Sequence, residues 1–301
     1  MSHSPVLSAP EFRDAVCARG SSQTLALGPG DLQAWLTRFN NQDGLLLCFD
    51  YTRHQGSIGI AEAHQLQQAI HHAREHKLPM VWLIESSGIR VTDGTAGIAS
   101  LRRVLRDMTD ARLDGLRLLA MVFKSAFGGA SLLACMCERR VMNPASLLSM
   151  SGPKLIQQSV GSQRFNAADT KAVMDLMGGA ERASRTKDVV LVQANVSAYL
   201  SALDAWLAEE PPLSVDLPWL QHQLALLCER LPQALNAPQA LPMPTPLLPV
   251  HAQALLERVL PTHSDVLACD RVLMVHAAQH AHTCVLALMT PEGCSARDAL
   301  V

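Results

Sequence analysis

The chain has 301 residues, 49% of them hydrophobic and 17% charged, with a formal net charge of −2. It is long enough to bury a sizeable core, and its charge balance argues against a nucleic-acid surface or a strongly basic membrane patch. The opening MSHSPVLSAPEF has neither a basic n-region nor an apolar h-region, and no apolar run approaches the ~18 residues of a membrane span. A cytoplasmic protein with no membrane or nucleic-acid partner is expected. Eight cysteines are scattered without paired spacing, so they are read as reduced thiols, with Cys135 and Cys137 as core residues of the most apolar helix.

Glu11 to Arg19 reads as a short helix. Asp31 to Asn40 also reads as one, with Asp31 as N-cap and Leu32, Trp35, Leu36 and Phe39 on one face. The turn at 41–44 precedes a buried strand, Leu45 to Asp50. A glycine-bearing loop, Tyr51 to Gly59, leads into a long helix from Ile60 to His76. Met80 to Ile84 is a second buried strand. It runs into Glu85-Ser86-Ser87-Gly88-Ile89-Arg90, a sharp loop at a strand's carboxyl end, where layered α/β proteins commonly bind ligands. The next helix, Asp93 to Met108, carries Ile98, Leu101, Val104, Leu105 and Met108 as its apolar stripe.

The strand Leu116 to Lys124 delivers Phe127-Gly128-Gly129-Ala130-Ser131, which turns directly into an apolar helix from Leu132 to Cys137. A glycine pair at a helix start leaves backbone N–H groups free and permits close approach of a ligand. With the helix dipole behind them, such groups can hold a developing negative charge. This stretch is read as half of an oxyanion hole. A strand at Arg140 to Met142, a turn at Asn143-Pro144 and Ser151-Gly152-Pro153 follow. Helices are expected over Leu155–Val160, Phe165–Met177 and Val196–Leu207, with a strand over Asp188–Gln193.

Strand, small-residue loop and helix recur three times, which favours an α/β fold of repeated β-β-α units, with layered sheets flanked by helices. The domain reading is 1–232 for the main domain, 233–251 for a Pro-rich linker, and 252–301 for a C-terminal helix and hairpin. A helix is expected near Trp219–Arg230 and another over 252–260. Arg271–His276 and Thr283–Met289 form the hairpin. The end of the chain, an apolar strand entering Gly293-Cys294-Ser295, resembles the approach to the first loop and suggests the start of a second unit.

Four blocks in register resemble the carboxyltransferase type of the crotonase (ClpP/crotonase) superfamily. They are Gln55-Gly56-Ser57-Ile58-Gly59, Glu85 to Arg90, Phe127 to Ser131, and Ser151-Gly152-Pro153-Lys154-Leu155-Ile156; Met177 to Arg182 resembles a fifth. The closest resemblance is to β subunits of biotin-independent malonate decarboxylases, over residues 45–200. It implies a crotonase-like fold and a malonyl thioester on a phosphopantetheine-type arm, carried by acyl carrier protein or CoA. It implies no tightly bound cofactor and no metal. The partners implied are an acyl carrier protein and a γ-like crotonase-fold subunit. Ser87, Gly88, Gly128 and Gly129 are the implied catalytic residues. Gly56, Ser57, Arg90, Ser131, Gly152 and Lys154 are the implied substrate-binding residues.

Ser87 departs from the family's Gly-Gly-x-Arg loop, a position where glycine's conformational freedom would be lost, and Thr92-Asp93 replaces the family's Gln-Glu. Cys17 and Cys48 stand alone, so the zinc-ribbon cysteines of the acetyl-CoA carboxylase β subunit are missing. Leu132 and Pro153-Lys154 occupy neighbourhoods where hydratases of the superfamily place carboxylates, which argues against hydration. Loss of carbon dioxide from a malonyl thioester leaves an enolate, and N–H groups near Gly88 and Gly129 would stabilise its oxygen. Alternatives are a non-catalytic crotonase-fold scaffold, a carboxyltransferase, or a hydratase-isomerase relative. His71, His72 and His76 are read as a solvated helix face. His276, His280 and His282 straddle the C-terminal turn, and Arg90 is weighed as either an anion contact or a structural ion pair.

Overall fold

The computed structural model describes residues 7–209 and the strands 264–269, 272–277 and 282–287. They divide into two compact units, Met1–Pro211 and Pro212–Val301. In the first, α1 (Ala9–Arg19) opens with a capping box: Ser8 Oγ accepts from Glu11 N–H, and Glu11 Oε2 accepts from Ser8 N–H. Strands β1 (Ser22–Thr24), β2 (Leu32–Phe39) and β3 (Gln42–Phe49) follow, then α2 (Ile60–His76), β4 (Met80–Ser86), α3 (Gly94–Leu113) and β5 (Leu118–Phe127). The unit continues through α4 (Gly129–Met136), β6 (Arg139–Met142), β7 (Leu147–Ser149), α5 (Pro153–Val160), α6 (Thr170–Met177), α7 (Gly179–Arg185), β8 (Val189–Leu191) and α8 (Val196–Ala208).

The sheet order is β1-β2-β3-β4-β5-β6-β8, with β7 paired to the far end of β5. Strands β3, β4, β5, β6 and β8 run parallel, while β1 and β2 extend the edge antiparallel. Parallel strands buried on both faces are expected to be continuously apolar, and all seven residues of β4 are buried. Leu45, Leu47, Trp82, Ile84, Ala120 and Val122 pack into one core with Leu66, Ile70, Val104 and Leu133 of α2, α3 and α4. The alternate residues Leu46, Cys48, Val81, Leu83, Met121 and Phe123 pack against Phe12 of α1 and Tyr199, Leu203 and Trp206 of α8. The unit is therefore a central sheet between two helix layers, with every connecting loop of the parallel strands at an end of the sheet.

The stretch from Asp31 to Asn40 is β2, not a helix. Leu32 and Ala34 join one core while Trp35 and Phe39 join the other. A strand covered on both faces can thus imitate a helical stripe. Phe39 pairs with Gln42 across a two-residue turn in which Asn40 takes φ 53°. That Asn-Asn pair between apolar runs was the hairpin signal in the sequence. The helix expected from Phe165 begins only at Thr170, where Asp169 accepts from Ala172 N–H as N-cap. Cys135 is exposed on α4 rather than in the core, whereas the buried Cys48 and Cys137 thiols are pushed up to about 12 by burial. Ile98 also points outward, 51% exposed.

In the second unit β9 (Ser264–Cys269), β10 (Val272–Ala277) and β11 (His282–Ala287) form an antiparallel sheet with β10 in the centre. The expected hairpin is β10–β11, and β9 adds a strand the sequence reading left out. The helices expected near 219–230 and 252–260, the linker 233–251, His280 and the chain end after 287 lie outside the described residues.

Glu85 is buried at the end of β4, where its Oε1 accepts from Ala9 N–H at 2.8 Å. Burial raises its pKa above the ordinary carboxylate value, and the Ala9 hydrogen bond opposes that shift. The folded chain therefore holds this proton to higher pH than the unfolded chain. Its contribution to stability is present below the unfolded pKa and is lost as pH rises through the folded one. Glu85→Gln keeps the acceptor for Ala9. Its stability relative to wild type is expected to be most favourable at neutral pH and to shrink as pH falls through the carboxylate range. Urea unfolding at several pH values checks this; a pH-independent difference would remove Glu85 from the account.

Candidate active site

Four loops meet at the carboxyl ends of β3, β4, β5 and β7. The loop after β3 is zipped to the loop after β4 by backbone hydrogen bonds. Ser87 N–H donates to Gln55 O at 3.0 Å, Ile58 N–H to Gly88 O at 2.8 Å, and Arg90 N–H to Ile58 O at 2.8 Å. Gly88, at φ 107°, packs on the next loop so closely that an added Cβ would lie 2.8 Å from Phe127 O and 3.3 Å from Gly128 Cα. Gly128 takes φ 51°, and its N–H donates to Ser149 O and Met150 O, tying in the end of β7. Glycine is required at both positions by positive φ and close backbone approach.

Ser87 N–H is committed to Gln55, and Gly88 N–H donates to Ser86 Oγ at 3.1 Å. Gly128 N–H is committed to the carbonyls after β7. Among the described residues, the N–H groups of Ile89 and Gly129 donate to no acceptor in the chain. A Cβ on Gly128 would stand 3.8 Å from Ile89 N, so the bare glycine borders the Ile89 N–H. Gly129 is the first residue of α4, where N–H groups have no partner within the helix and the dipole is positive. The sequence puts a loop N–H near Gly88; the one without an acceptor among the described residues is the adjacent Ile89. The cause is the Ser86 side chain, which captures the N–H two residues on, a local turn that serine commonly makes.

Ser87 is exposed and is not among the residues with positive φ. Serine therefore costs this loop no backbone strain, and the glycine requirement falls on Gly88. Gly56 needs its lack of side chain, since a Cβ there would sit 2.0 Å from Glu85 O. Ser131 is buried and its Oγ donates to Gly128 O at 2.7 Å, closing the first turn of α4. Gly152 is the N-cap of α5, beside the Phe127 ring. Lys154 is exposed and forms no ion pair among the described residues. A Cβ on Gly129 would meet Leu101 Cδ2 at 2.5 Å and Ile89 Cγ1 at 2.8 Å. A valine there would strain packing inside the protein rather than block the open side.

Arg90 is a structural residue. It donates through Nε to Ser57 Oγ at 3.2 Å and through a terminal nitrogen to Ser57 O at 3.1 Å, and it pairs with Glu62 Oε2 at 3.0 Å. Glu62 also accepts from Gly59 N–H at 2.8 Å and Asp31 N–H at 3.1 Å. Asp31, which the sequence reading made a helix cap, instead receives His54 Nδ1–H at 2.8 Å. That hydrogen bond, helped by Arg53 and opposed by burial, holds the Asp31 carboxyl below its ordinary range. Ser57 and Arg90 therefore lock the two loops together, a role the sequence could not separate from anion binding.

Residues 45–240 match the family described as the carboxyl transferase domain. The chain belongs to the carboxyl transferase domain family. Among curated relatives, the acetyl-coenzyme A carboxylase carboxyl transferase subunit beta of Flavobacteriaceae bacterium (strain 3519-10) is 24% identical over 125 residues, 41% of this chain and 44% of the relative. The same subunit of Fusobacterium nucleatum is 24% identical over 116 residues, 38% of each chain. The match thus spans less than half the length of these relatives. In fold, the family member resembles a chain of the Pseudomonas malonate decarboxylase hetero-tetramer in complex with malonate, with TM-score 0.61, 19% identity, and 73% and 89% of the two chains covered. It also resembles the transcarboxylase 12S subunit, with TM-score 0.56, 15% identity, and 67% and 42% covered. The crotonase-like carboxyltransferase fold expected from the four blocks is the fold of this carboxyl transferase domain. Among the described residues, no helix is long and apolar enough to cross a membrane.

Proposed function

We propose that this carboxyl transferase domain is the β-like subunit of a malonyl-thioester decarboxylase, converting a malonyl thioester on an acyl carrier protein to the acetyl thioester and carbon dioxide. The observation that carries the reading is the pair of uncommitted N–H groups, Ile89 and Gly129, on either side of Gly128. Breaking the bond to the carboxylate leaves its electron pair on the thioester as an enolate. The charge collects on the thioester oxygen, where two fixed N–H donors would stabilise it. Gly88 and Gly128 hold these donors in place, and Ser87 shapes the loop edge. Gly152 and Lys154 border the open side, where a phosphopantetheine arm from acyl carrier protein or CoA would enter.

A γ-like partner subunit fits the uncovered apolar side chains on the elements that carry the site. Val91 is 91% exposed, and Ile60, Ile98, Leu132, Met150 and Leu155 are also exposed. Exposed apolar patches on a protein surface mark interaction sites, and a partner subunit would cover these side chains. The second reading is carboxyl transfer, which the acetyl-coenzyme A carboxylase relatives favour. It would use the same donors in the same enolate step.

Carbon dioxide release from malonyl-CoA and from a malonyl carrier protein, with and without a co-expressed homologous partner, tests the proposal. Release that requires the partner is expected. Transfer of the carboxyl group to an acceptor with no free carbon dioxide would replace decarboxylation by carboxyl transfer. A folded complex that does neither would leave the scaffold reading.

A further inference from the structure

Two N–H groups hold the enolate oxygen in the proposed reaction, and one of them, Ile89, sits in a loop rather than on a helix. Building on that reading, we propose that Ser86 is a positioning residue of the enolate site. Its hydroxyl pins the Gly88 peptide, so that Ile89 and not Gly88 presents its N–H to the reacting oxygen. Ser86 is the last residue of β4, is fully buried, and pairs with Ala126 of β5 just after a break in strand register. Irregularities of this kind re-aim the chain beside active sites. Ser86 Oγ accepts from Gly88 N–H at 3.1 Å. With no exposed surface of its own, Ser86 acts through Gly88 rather than on the thioester.

The peptide units from Ser86 to Arg90 are held one by one. Ser87 N–H donates to Gln55 O at 3.0 Å, Gly88 O accepts from Ile58 N–H at 2.8 Å, and Arg90 N–H donates to Ile58 O at 2.8 Å. These three ties join backbone to backbone and fasten the loop to the one after β3. Among the described residues, the unit between Ser87 and Gly88 is tied by a side chain instead, the Ser86 hydroxyl. It is also the unit freest to turn, because it ends at a glycine with φ 107°. In a planar trans peptide the C=O and N–H point in opposite directions. The bond from Ile58 N–H to Gly88 O therefore turns Ile89 N–H away from the first loop. On that side stands the bare Gly128, where an added Cβ would lie 3.8 Å from Ile89 N. The two units share Gly88, so the aim of the second depends on the pin of the first.

A serine that bonds the N–H two residues on is an ordinary turn. Here that N–H lies beside the donor, and its acceptor is the buried hydroxyl. With alanine at 86 the Gly88 N–H loses its acceptor, and a buried N–H left unpaired is costly. Turning the unit outward gives that N–H to water, and the rotation at Gly88 swings Ile89 N–H off the reacting oxygen.

The test uses the full chain with its co-expressed partner and follows turnover of the malonyl thioester, as carbon dioxide release or as carboxyl transfer. Ser86→Ala is expected to lower kcat by about 10²-fold, the scale of a small misplacement at a reacting centre, with KM little changed. Ser86→Cys, whose sulfur is a weak acceptor, is expected to fall between Ser86→Ala and wild type. Ile89→Pro already lacks the aimed N–H, so adding Ser86→Ala to it is expected to cost nothing further. Amide hydrogen exchange, read by mass spectrometry, is expected to rise in Ser86→Ala at the 86–90 loop and to stay unchanged elsewhere. Unchanged kcat in folded Ser86→Ala, an equal loss with and without Ile89→Pro, or unaltered exchange at the loop overturns the positioning role and leaves the enolate reading intact. A wild-type complex that neither releases carbon dioxide nor transfers the carboxyl group overturns that reading, and the positioning role with it.

Discussion

Replacing Ile89 with proline is expected to lower turnover of the malonyl thioester about 10²–10³-fold, the usual cost of one oxyanion donor, near 3 kcal/mol. Proline removes one backbone N–H, and the Ile89 N–H makes no hydrogen bond among the described residues. The bonds that hold the loop use other atoms: Ile58 N–H to Gly88 O and Arg90 N–H to Ile58 O. Ile89→Val keeps the N–H while trimming the contact with Leu101 and Gly129, and is expected to retain most of the turnover. Steady-state rates, with circular dichroism to establish folding, make the check. Full turnover by a folded Ile89→Pro protein would show that this N–H does not touch the reacting oxygen. This pair of variants is a sharper probe than Gly129→Val, whose side chain would press on Leu101 and Ile89.

Arg90→Met is expected to cost about 3–5 kcal/mol of folding stability, the range found when one partner of a buried ion pair is removed. Glu62 is 2% exposed and Arg90 18%, so solvent cannot replace the lost guanidinium. The Gly59 and Asp31 N–H groups still reach the Glu62 carboxylate, which places the effect towards the lower end. Methionine fills similar space, so the loss reports the stranded charge rather than a cavity. Adding Glu62→Gln to Arg90→Met is expected to recover part of the stability, because it removes that charge. Urea unfolding of wild type, Arg90→Met, Glu62→Gln and the double variant, read as midpoints at constant slope, measures the coupling. A loss under about 1 kcal/mol would class the pair with screened surface bridges.

Much of the sheet and its helices was legible in the amino-acid order. The continuous apolar runs of β3, β4 and β5 and the amphipathic α2 stand where their patterns put them, because a strand buried on both faces and a helix buried on one face leave distinct spacings. The edge strand β2 was misread, since its apolar residues serve two cores at once. The resemblance makes Ser57 and Arg90 substrate-binding residues, whereas the folded loops join them to each other and Arg90 to Glu62. Nothing in Gln55-Gly56-Ser57 or in Ser87-Gly88-Ile89-Arg90 says that the second loop folds back on the first. The His54–Asp31 pair was invisible for the same reason: the two residues are 23 apart in sequence and are joined by a turn with left-handed φ values.

The succession of strands and helices, the glycines at 56, 88 and 128, and the order of the carboxyltransferase-like blocks are all written in the amino-acid order. These are local properties, set by side-chain periodicity and by backbone conformations that only glycine tolerates freely. Which N–H groups remain uncommitted, the ordinary backbone conformation of Ser87 and the engagement of Arg90 by Glu62 and Ser57 emerge only once the chain has folded. Each of those depends on which acceptor lies within about 3 Å once distant loops have closed. Hydrogen bonding is short-ranged in space and indifferent to distance along the chain.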